Sequence, residues 1–227
     1  MNLCIATPTM YSQVNVGYAE TLVAIARVCQ VRGINLFKIG VDSSDIVTAR
    51  NMMVMKFLAY SDRTHLLMID SDSEVGLAAM DKLLASKHLF TALPFCKRQI
   101  DLERFYLHRS LLTTPEATAA ALDWCLELED GRHDVVDGFM PVRRTGFGCV
   151  LLAREVLERI GEAWFDRLEI DGELLSEDTS FCERARTIAR PMLIVDQPVY
   201  HCGTFRYGAK FLDDPRYFAQ AQKSDST

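Results

Sequence analysis

Two aspartates separated by one residue, Asp70 and Asp72, directly follow an apolar run at residues 66–69. A continuously apolar run is typical of a central strand that is covered on both faces. If the backbone bends where this strand ends, both carboxylates can face one cleft, bind a hard divalent cation and bring it to a diphosphate. The alternative, equally consistent with these residues alone, is a solvated turn that caps the next helix.

A second acidic pair, Glu177 and Asp178, stands at the start of a predicted helix over residues 177–189, with Ser176 as the candidate N-cap. A carboxylate in the first turn of a helix is stabilised by the helix dipole, so electrostatic capping alone explains the pair. The functional alternative is a general base that takes the proton from an attacking hydroxyl group. The helix N-terminus would keep such a base ionised and fixed in orientation.

His201 follows the last predicted strand by a few residues. A lone histidine is more often structural, but imidazole also suits manganese and similar ions, and a returning strand would bring it beside Asp72. Arg50 and Asn51 fall on the polar side of their predicted helix, where solvation is the default. Other single basic residues usually lie on the surface, and contact with phosphates or an acceptor is the alternative for them. These residues are Lys97, Arg98, Arg143, Arg144 and Arg206.

The chain has 227 residues, of which 49% are hydrophobic and 25% charged, as in an ordinary globular protein. We expect one domain over residues 1–220 and a disordered tail at 221–227. The net charge of -6 gives no global attraction to nucleic acid or anionic membranes. The seven cysteines lack CxxC spacing, which argues against zinc and a disulfide framework. No segment resembles a secretion signal or a membrane span, so we expect a cytoplasmic protein of a bacterium or phage-infected host, without membrane insertion.

Predicted strands and helices alternate through the first half of the chain, and Gly33 is placed as the C-terminal cap of the first helix. Such alternation favours a mostly parallel central sheet with helices on both faces, because parallel strands need crossover connections. Ligands of such sheets bind beyond the carboxyl ends of the strands, where Thr7, Asp70 and Asp72 would lie. The predicted strands are residues 3–6, 34–41, 66–69, 89–95, 149–153 and 192–195, and the predicted helices are residues 18–31, 77–86, 155–160 and 177–189, with one more after residues 43–45.

The regular alternation breaks over residues 98–137. A helix is predicted within this segment, with Thr114 as its cap and Pro115 at its first position, among acidic stretches that are typical of loops. We interpret the segment as a variable insertion that faces the acceptor. Beyond it, Gly146-Phe147-Gly148 leads into the next apolar strand.

Several stretches, taken in their order and spacing, resemble the GT-A glycosyltransferases, in particular the small family 2-like members of bacteria and phages. The resemblance covers most of the chain apart from the gap at 98–137, and no single stretch is specific. It implies the GT-A fold, an α/β fold with a mostly parallel central sheet. The matching stretches are Ile5-Ala6-Thr7-Pro8, Ala49-Arg50-Asn51, Leu66 through Asp72, Gly146 through Leu152, Ser176-Glu177-Asp178 with Phe181-Cys182, and Asp196 through Gly203 with His201.

For the donor, the resemblance implies a nucleoside-diphosphate sugar. Thr7 and Pro8 would border the nucleotide base, Arg50 and Asn51 would approach the nucleotide or the sugar, and Asp70 would contact the donor as well. The loop after the first strand lacks the acidic residue that many family members place near uracil. The identity of the nucleotide therefore stays open.

For the chemistry, the resemblance implies an inverting transferase that uses Mn²⁺ or Mg²⁺. Asp70, Asp72 and His201 would bind the ion, and Asp178, with Glu177 beside it, would be the base that activates the acceptor. Many members have an apolar residue directly after the second aspartate, whereas this chain continues with a serine and a glutamate. These polar residues are expected to perturb the geometry at the metal.

The acceptor stays open between a hydroxylated DNA base, a protein, a glycan and a small molecule, and so do the donor sugar and the oligomeric state. A nucleotidyltransferase is the alternative enzyme, since it shares the sheet and a metal-held nucleotide. It predicts a glycine-rich loop with a lysine after the first strand, but residues 7–17 contain no lysine and one glycine. A non-catalytic binding module on the same fold is a further alternative, because a fold alone does not establish function.

Overall fold

The computed structural model describes residues 1–129 and 134–218. The tail predicted at 221–227 and a short part of the predicted insertion at 98–137 therefore lie outside the described residues. The strands are β1 (Asn2–Thr9), β2 (Asn35–Asp42), β3 (His65–Ile69), β4 (Ser73–Val75), β5 (Phe90–Ala92), β6 (Cys96–Ile100), β7 (Leu122–Trp124), β8 (Leu126–Glu127), β9 (Phe139–Pro141), β10 (Arg144–Thr145), β11 (Cys149–Ala153), β12 (Glu169–Ile170), β13 (Glu173–Leu174), β14 (Met192–Ile194), β15 (Pro198–Cys202) and β16 (Arg206–Lys210).

The helices connect these strands and cover the central sheet. Within the described ranges, no helix is both long enough and apolar enough to cross a membrane. The helices are α1 (Val16–Arg32), α2 (Ile46–Leu58), α3 (Leu77–Ala85), α4 (Leu102–Arg109), α5 (Thr114–Ala120), α6 (Arg154–Ile160), α7 (Glu177–Ala185) and α8 (Pro215–Phe218), with a 3₁₀ turn at Phe211–Asp213.

The central sheet has seven strands in the order β2-β1-β3-β11-β5-β14-β9. β1 pairs in parallel with β2 and β3, and β5 pairs in parallel with β14, whereas β11 and β9 are antiparallel to their neighbours. Five of the seven strands therefore run in one direction. The predicted α/β fold class, with a mostly parallel central sheet, is confirmed.

Alternate residues of the central strands enter two separate hydrophobic cores. On β3, Leu66 and Met68 pack into one core and Leu67 and Ile69 into the other, and all four are buried. Residues of α2, α6 and α7 complete the first core, and residues of α1 and α3 complete the second. The prediction of helices on both faces is therefore confirmed, and the apolar run before Asp70 is a strand covered on both sides.

Capping residues fix the ends of the two helices that flank the first strands. The side chain of Asn15 accepts a hydrogen bond from the N–H of Gly17 at the start of α1, and Gly33 ends that helix with a left-handed φ of 64°. A glycine adopts this conformation without the clash that a β-carbon would introduce, so the predicted cap is confirmed. At α2, Asp45 accepts from the N–H of Thr48 at 2.9 Å, which fixes the start of this helix.

The predicted helix boundaries differ from the observed ones by up to four residues. The helix predicted to be capped by Thr114 begins there, and its N-cap is Thr113, whose N–H donates to Glu116 in a capping box. The helix predicted over residues 177–189 ends at Ala185. The N–H groups of Ile188 and Ala189 both donate to the carbonyl of Ala185, so the chain continues as a turn over residues 186–188 and not as regular helix.

Candidate active site

The chain turns sharply where β3 ends. The N–H of Ser73 donates to the carbonyl of Asp70 at 3.1 Å, and the N–H of Asp70 donates to the carbonyl of Gly148 at 3.0 Å. The hydroxyl of Ser73 also donates to Gly148, at 2.8 Å, and this serine is fully buried. The serine after the second aspartate thus faces the interior and supports the turn.

The second aspartate and the histidine are in direct contact. β15 pairs with β4 so that His201 lies opposite Ser73 in the register. Its Nε2 lies 3.2 Å from Oδ2 of Asp72, and its Nδ1 lies 2.9 Å from the carbonyl oxygen of Cys96. Arg98 donates to the same Asp72 oxygen at 3.1 Å. The returning strand therefore places His201 beside Asp72, where the sequence expected it.

The surroundings of His201 favour its protonated form. Because a carbonyl oxygen lies at Nδ1, this nitrogen carries a proton, and the carboxylate at Nε2 favours a second proton on the ring. Burial opposes the positive charge, but the hydrogen bonds with Asp72 and with the carbonyl of Cys96 outweigh it. Together they raise the pKa of His201 above its ordinary value.

We expect Asp72→Asn to lower the pKa of His201, because the carboxylate that stabilises the imidazolium is lost. In the wild type, the pair stabilises the fold fully below about pH 6.5, the ordinary histidine pKa, and this contribution disappears as the pH rises through the raised pKa. NMR titration of the imidazole signals measures both midpoints. Asp62→Asn, which changes an exposed carboxylate, is the control and should leave the midpoint unchanged, whereas equal midpoints in wild type and Asp72→Asn would refute the pairing.

The donor atoms around Asp72 fit a hard divalent ion. When an ion takes the place of the proton at Nε2 of His201, the Nδ1–H donated to a backbone carbonyl keeps the ring in orientation, an arrangement that is common in metal-binding histidines. Among the described residues, no three His, Cys, Asp or Glu side chains converge closely enough to hold an ion by themselves. Ions such as Mg²⁺ commonly use one or two protein ligands together with substrate phosphates. Asp72 and His201 therefore fit an ion that arrives with a diphosphate, with Asp70 close by.

Arg50 connects the first aspartate to the second acidic pair. Its guanidinium donates to Oε1 of Glu177 at 2.8 Å and lies 3.4 Å from Oδ1 of Asp70. The residue is 5% exposed, and its Cζ lies 5.4 Å and 5.7 Å from the ring centroids of Phe147 and Phe165. The predicted solvation of Arg50 is therefore wrong, because two carboxylates and two aromatic rings compensate for the burial of its charge.

The charge of Asp70 depends on its neighbours. Burial raises the pKa of this carboxyl, the positive charge of Arg50 lowers it, and the negative charge of Asp72 raises it again, with a net upward shift. A cation near Asp70 favours the ionised form of its carboxyl. Arg50 therefore helps to keep Asp70 in the state that can bind a metal ion.

Asn51, the neighbour of Arg50, is engaged within the protein. Its Oδ1 accepts from the N–H of Phe165 at 3.0 Å, and its Nδ2 donates to Asp166 at 2.9 Å. The ring of Phe165 stacks on Phe181 of α7 with centroids 4.8 Å apart. Asn51 thereby holds Phe165 in place beside Arg50. Both its amide oxygen and its amide nitrogen form these hydrogen bonds within the protein.

Thr7 and Pro8 end the first strand at the edge where a nucleotide was expected. The side chain of Thr7 is turned inward, since it is only 2% exposed and its hydroxyl lies 2.6 Å from that of Tyr18. Pro8 is half-buried. At Thr7, only the backbone is therefore placed to border a ligand.

Asp42 is a further candidate residue of the site, and the sequence analysis did not single it out. It ends β2 directly opposite Thr9 and accepts hydrogen bonds from Ser12, at 3.2 Å from the N–H and 2.9 Å from the hydroxyl. Tyr11 and Ser12 have positive φ angles of 57° and 55°, so this carboxylate holds a strained loop at the edge of the cleft. The sequence does hold one indication of this role. Asp42 stands at the carboxyl end of a predicted strand, where ligands of such sheets bind.

Asp178 faces a cavity of about 410 Å³. Its Oδ1 accepts from the N–H of Thr179 at 2.8 Å and from the hydroxyl of Ser176. Its Oδ2 lies 3.6 Å from the position that a β-carbon on Gly146 would take, and within the described ranges it accepts no hydrogen bond. One oxygen is therefore fixed by the start of α7, and the other is available to a group in the cavity. The cavity is also lined by Lys97, Cys125, Glu127, Arg144 and Glu173.

The basic residues that the sequence singled out take different positions. Arg144 binds Glu183 at 2.7 Å and Glu127 at 2.9 Å, and Arg143 binds the same two carboxylates at 3.2 Å and 3.0 Å. These four side chains neutralise one another, and two of them, Glu127 and Arg144, line the cavity. Of the other three basic residues, Lys97 lines the cavity, Arg98 forms an ion pair with Asp72, and Arg206 forms one with Glu74.

No protein-family model matches the chain, and no curated protein matches it in sequence. Among solved structures, the chain is similar to the protein A197 from STIV, with 16% identity and a TM-score of 0.53. This match covers 89% of the chain and 86% of A197. A similarity at this level of identity shows the shared fold and leaves the activity to be determined.

Two other solved structures are similar at TM-scores below 0.5. A glycosyltransferase involved in the glycosylation of the major capsid of PBCV-1 has 10% identity and a TM-score of 0.36, over 70% of this chain and 63% of that one. TarS of S. aureus has 11% identity and a TM-score of 0.41, over 87% of this chain and 59% of the other. This chain spans less than two thirds of either structure. At these TM-scores, neither similarity supports a conclusion about this chain.

Proposed function

We propose that the protein is a metal-dependent glycosyltransferase that moves a sugar from a nucleoside diphosphate to an acceptor hydroxyl, with inversion at the anomeric carbon. The observation that carries the proposal is the connection of two acidic centres by one buried arginine. Asp72 and His201 would hold the ion together with the phosphates of the donor, with Asp70 close by, and Asp178 faces a cavity. Arg50 joins the two centres through hydrogen bonds to both acidic pairs.

The donor would occupy the edge formed by β1, β2 and β3. Its diphosphate would lie at Asp72 and His201, where a bound Mn²⁺ or Mg²⁺ supplies neutralisation of the charge that develops on the leaving group. Arg98 contacts the same carboxylate, and its side chain is about half exposed, so it is placed to exchange this contact for a phosphate oxygen. The nucleoside would extend toward the loop that Asp42 holds.

The acceptor would occupy the cavity at Asp178. Its hydroxyl would lose the proton to Oδ2 of Asp178 while its oxygen forms the bond to the anomeric carbon. The bond from that carbon to the diphosphate oxygen breaks, and the electron pair leaves with the nucleoside diphosphate. Attack from the side opposite the leaving group inverts the anomeric configuration. The cavity is within the size range of small-molecule sites, so it would take one sugar unit, one side chain or one extruded base.

Glu177 supports this chemistry as a positioning residue. Its Oε1 is bound to the guanidinium of Arg50, and its side chain is largely buried. Because this carboxylate is paired with Arg50, it is less suited than Asp178 to take a proton from a substrate hydroxyl. The role of acceptor-activating base, which the family resemblance left to Asp178 with Glu177 beside it, is therefore proposed for Asp178.

A panel of nucleotide sugars tests the proposal. With Mn²⁺, the protein should slowly hydrolyse its own donor to the nucleoside diphosphate and should be stabilised thermally by it. Asp72→Ala should lose both responses, whereas Asp62→Ala, at an exposed carboxylate, should keep them. Release of pyrophosphate from a nucleoside triphosphate and a sugar phosphate would indicate the alternative nucleotidyltransferase. Absence of any turnover would favour a binding module.

A further inference from the structure

Helix α1 carries a line of exposed valines. Val16, Val23 and Val31 are 74%, 60% and 86% exposed. Valine is a poor choice for the open side of a helix, because its β-branched side chain loses rotamer freedom there and has a lower helix propensity than leucine or alanine. Three valines along one side of α1 therefore indicate a surface that another molecule covers.

Two unpaired charges lie on the same side of α1. At 100° per residue, Glu20 and Arg27 fall within the arc of about 80° that contains the three valines. Within the described ranges, neither residue takes part in an ion pair, and the two stand about 10 Å apart along the helix axis. Arg32, the other charged residue of α1, is already bound to Asp81 at 2.7 Å. We call the three valines together with Glu20 and Arg27 the α1 stripe.

The α1 stripe is complementary to a reversed copy of itself. The pair Glu20 and Arg27 and the pair Val16 and Val31 have the same midpoint along the helix, between residues 23 and 24. In an antiparallel pair of helices, a two-fold axis at this midpoint brings Glu20 opposite Arg27 of the second copy, and the reverse contact forms as well. Val16 then faces Val31 of the second copy, and Val23 meets its own copy close to the axis. One arrangement therefore pairs both charges and covers all three valines.

The apolar surface continues from the α1 stripe onto helix α3. Leu77 of α3 is 44% exposed, and it lines a cavity of about 350 Å³ together with Arg27, Val31 and Ala78. In the antiparallel pair, Val16 of the second copy faces Val31 and so lies beside this cavity. A second copy would thus cover apolar side chains of both helices.

We propose that the α1 stripe joins two copies of the chain in a two-fold symmetric dimer. The charge pattern favours a second copy over a lipid surface, because one positive and one negative charge give no net attraction to anionic headgroups. A helix of 17 residues is about 25 Å long, which makes a small contact and a dimer in reversible equilibrium with its monomer. The proposal does not depend on the proposed transferase activity.

Sedimentation equilibrium of the full chain over a range of concentrations tests the dimer. We expect a Kd between about 1 µM and about 1 mM, as for other small reversible interfaces. Val23→Glu should weaken the association at least about tenfold, because it places two like charges beside each other at the axis. Met55→Glu is the matched control and should associate as the wild type does. Met55 is 61% exposed on α2, and α2 packs into the hydrophobic core on the opposite face of the sheet from α1.

Charge reversal tests the register of the two helices. Glu20→Arg and Arg27→Glu each place like charges opposite each other in a symmetric pair, so each variant alone should associate about tenfold more weakly than the wild type. A mixture of the two variants should form a heterodimer, because both contacts then join opposite charges again. At low concentration, the thermal unfolding of each variant should equal that of the wild type, since the substituted side chains are exposed.

Three results would overturn the proposal. They are a monomer at every concentration, a dimer that Val23→Glu leaves unchanged, and charge-reversal variants that associate with each other no more strongly than with themselves. The second result would place the contact between copies on another surface, and the third would exclude the antiparallel register.

Discussion

Arg50→Met is expected to lower the free energy of unfolding by about 3 kcal/mol or more, the typical cost of removing one partner from a buried ion pair. The guanidinium neutralises Glu177 and Asp70, whose side chains are 12% and 29% exposed. Methionine would fill much of the space beside Phe147 and Phe165, but it would leave two carboxylates without their cation. Urea unfolding monitored by circular dichroism measures the change.

Arg159→Met is the matched control for this substitution. Arg159 pairs with Glu155 at 4.0 Å on the surface of α6, and both side chains are more than half exposed, so its loss should cost less than about 1 kcal/mol. Adding Glu177→Gln to Arg50→Met should recover part of the lost stability, because it removes one of the two carboxylates left without a cation. A cost for Arg50→Met no greater than that of the control would rule out the bridging role.

Asp178→Asn is expected to reduce kcat by about 10² to 10⁴, the usual contribution of a general base, while the Kd of the donor stays the same. The amide oxygen can still accept from the N–H of Thr179, so the local structure should persist, but the side chain can no longer take a proton. Initial rates with a saturating donor, together with calorimetric titration of that donor, separate turnover from binding.

Glu173→Gln provides the comparison, since it also removes a carboxylate from the wall of the same cavity. It should retain most of the turnover, because Glu173 has no assigned part in proton transfer. NMR of the product should show an inverted anomeric configuration. Full turnover by Asp178→Asn, or a product with retained configuration, would show that Asp178 is not the base.

The parts of the fold that the sequence predicted are those with local signals. The apolar run of β3 and its abrupt end at Asp70 predicted a central strand, and the glycine after α1 predicted the end of that helix. The antiparallel insertion of β11 between β3 and β5 has no local signal. It depends on pairing between segments that are about 80 residues apart in the chain, and hydrophobic periodicity does not report strand partners.

The same limit applies at the site. Arg50 looked solvated because its own helix gives no hint of Glu177, which lies 127 residues further along the chain. The inward turn of the Thr7 hydroxyl also has no signal within the first strand, because its partner, Tyr18, belongs to the following helix. The position of His201 beside Asp72 also depends on a distant pairing, that of β15 with β4. It could be expected because the family resemblance implies a metal-binding histidine at this point of the chain.

The most direct test of the proposed function is a calorimetric titration of nucleoside diphosphates into the protein with Mn²⁺ and again with a chelator. The arrangement of Asp72 and His201 predicts binding of at least one diphosphate with Mn²⁺, loss of that binding with the chelator, and at least about tenfold weaker binding by Asp72→Ala. If no uridine or guanosine diphosphate binds with Mn²⁺, or if Asp72→Ala binds as tightly as the wild type, the Asp70 and Asp72 pair does not hold a metal-bound diphosphate.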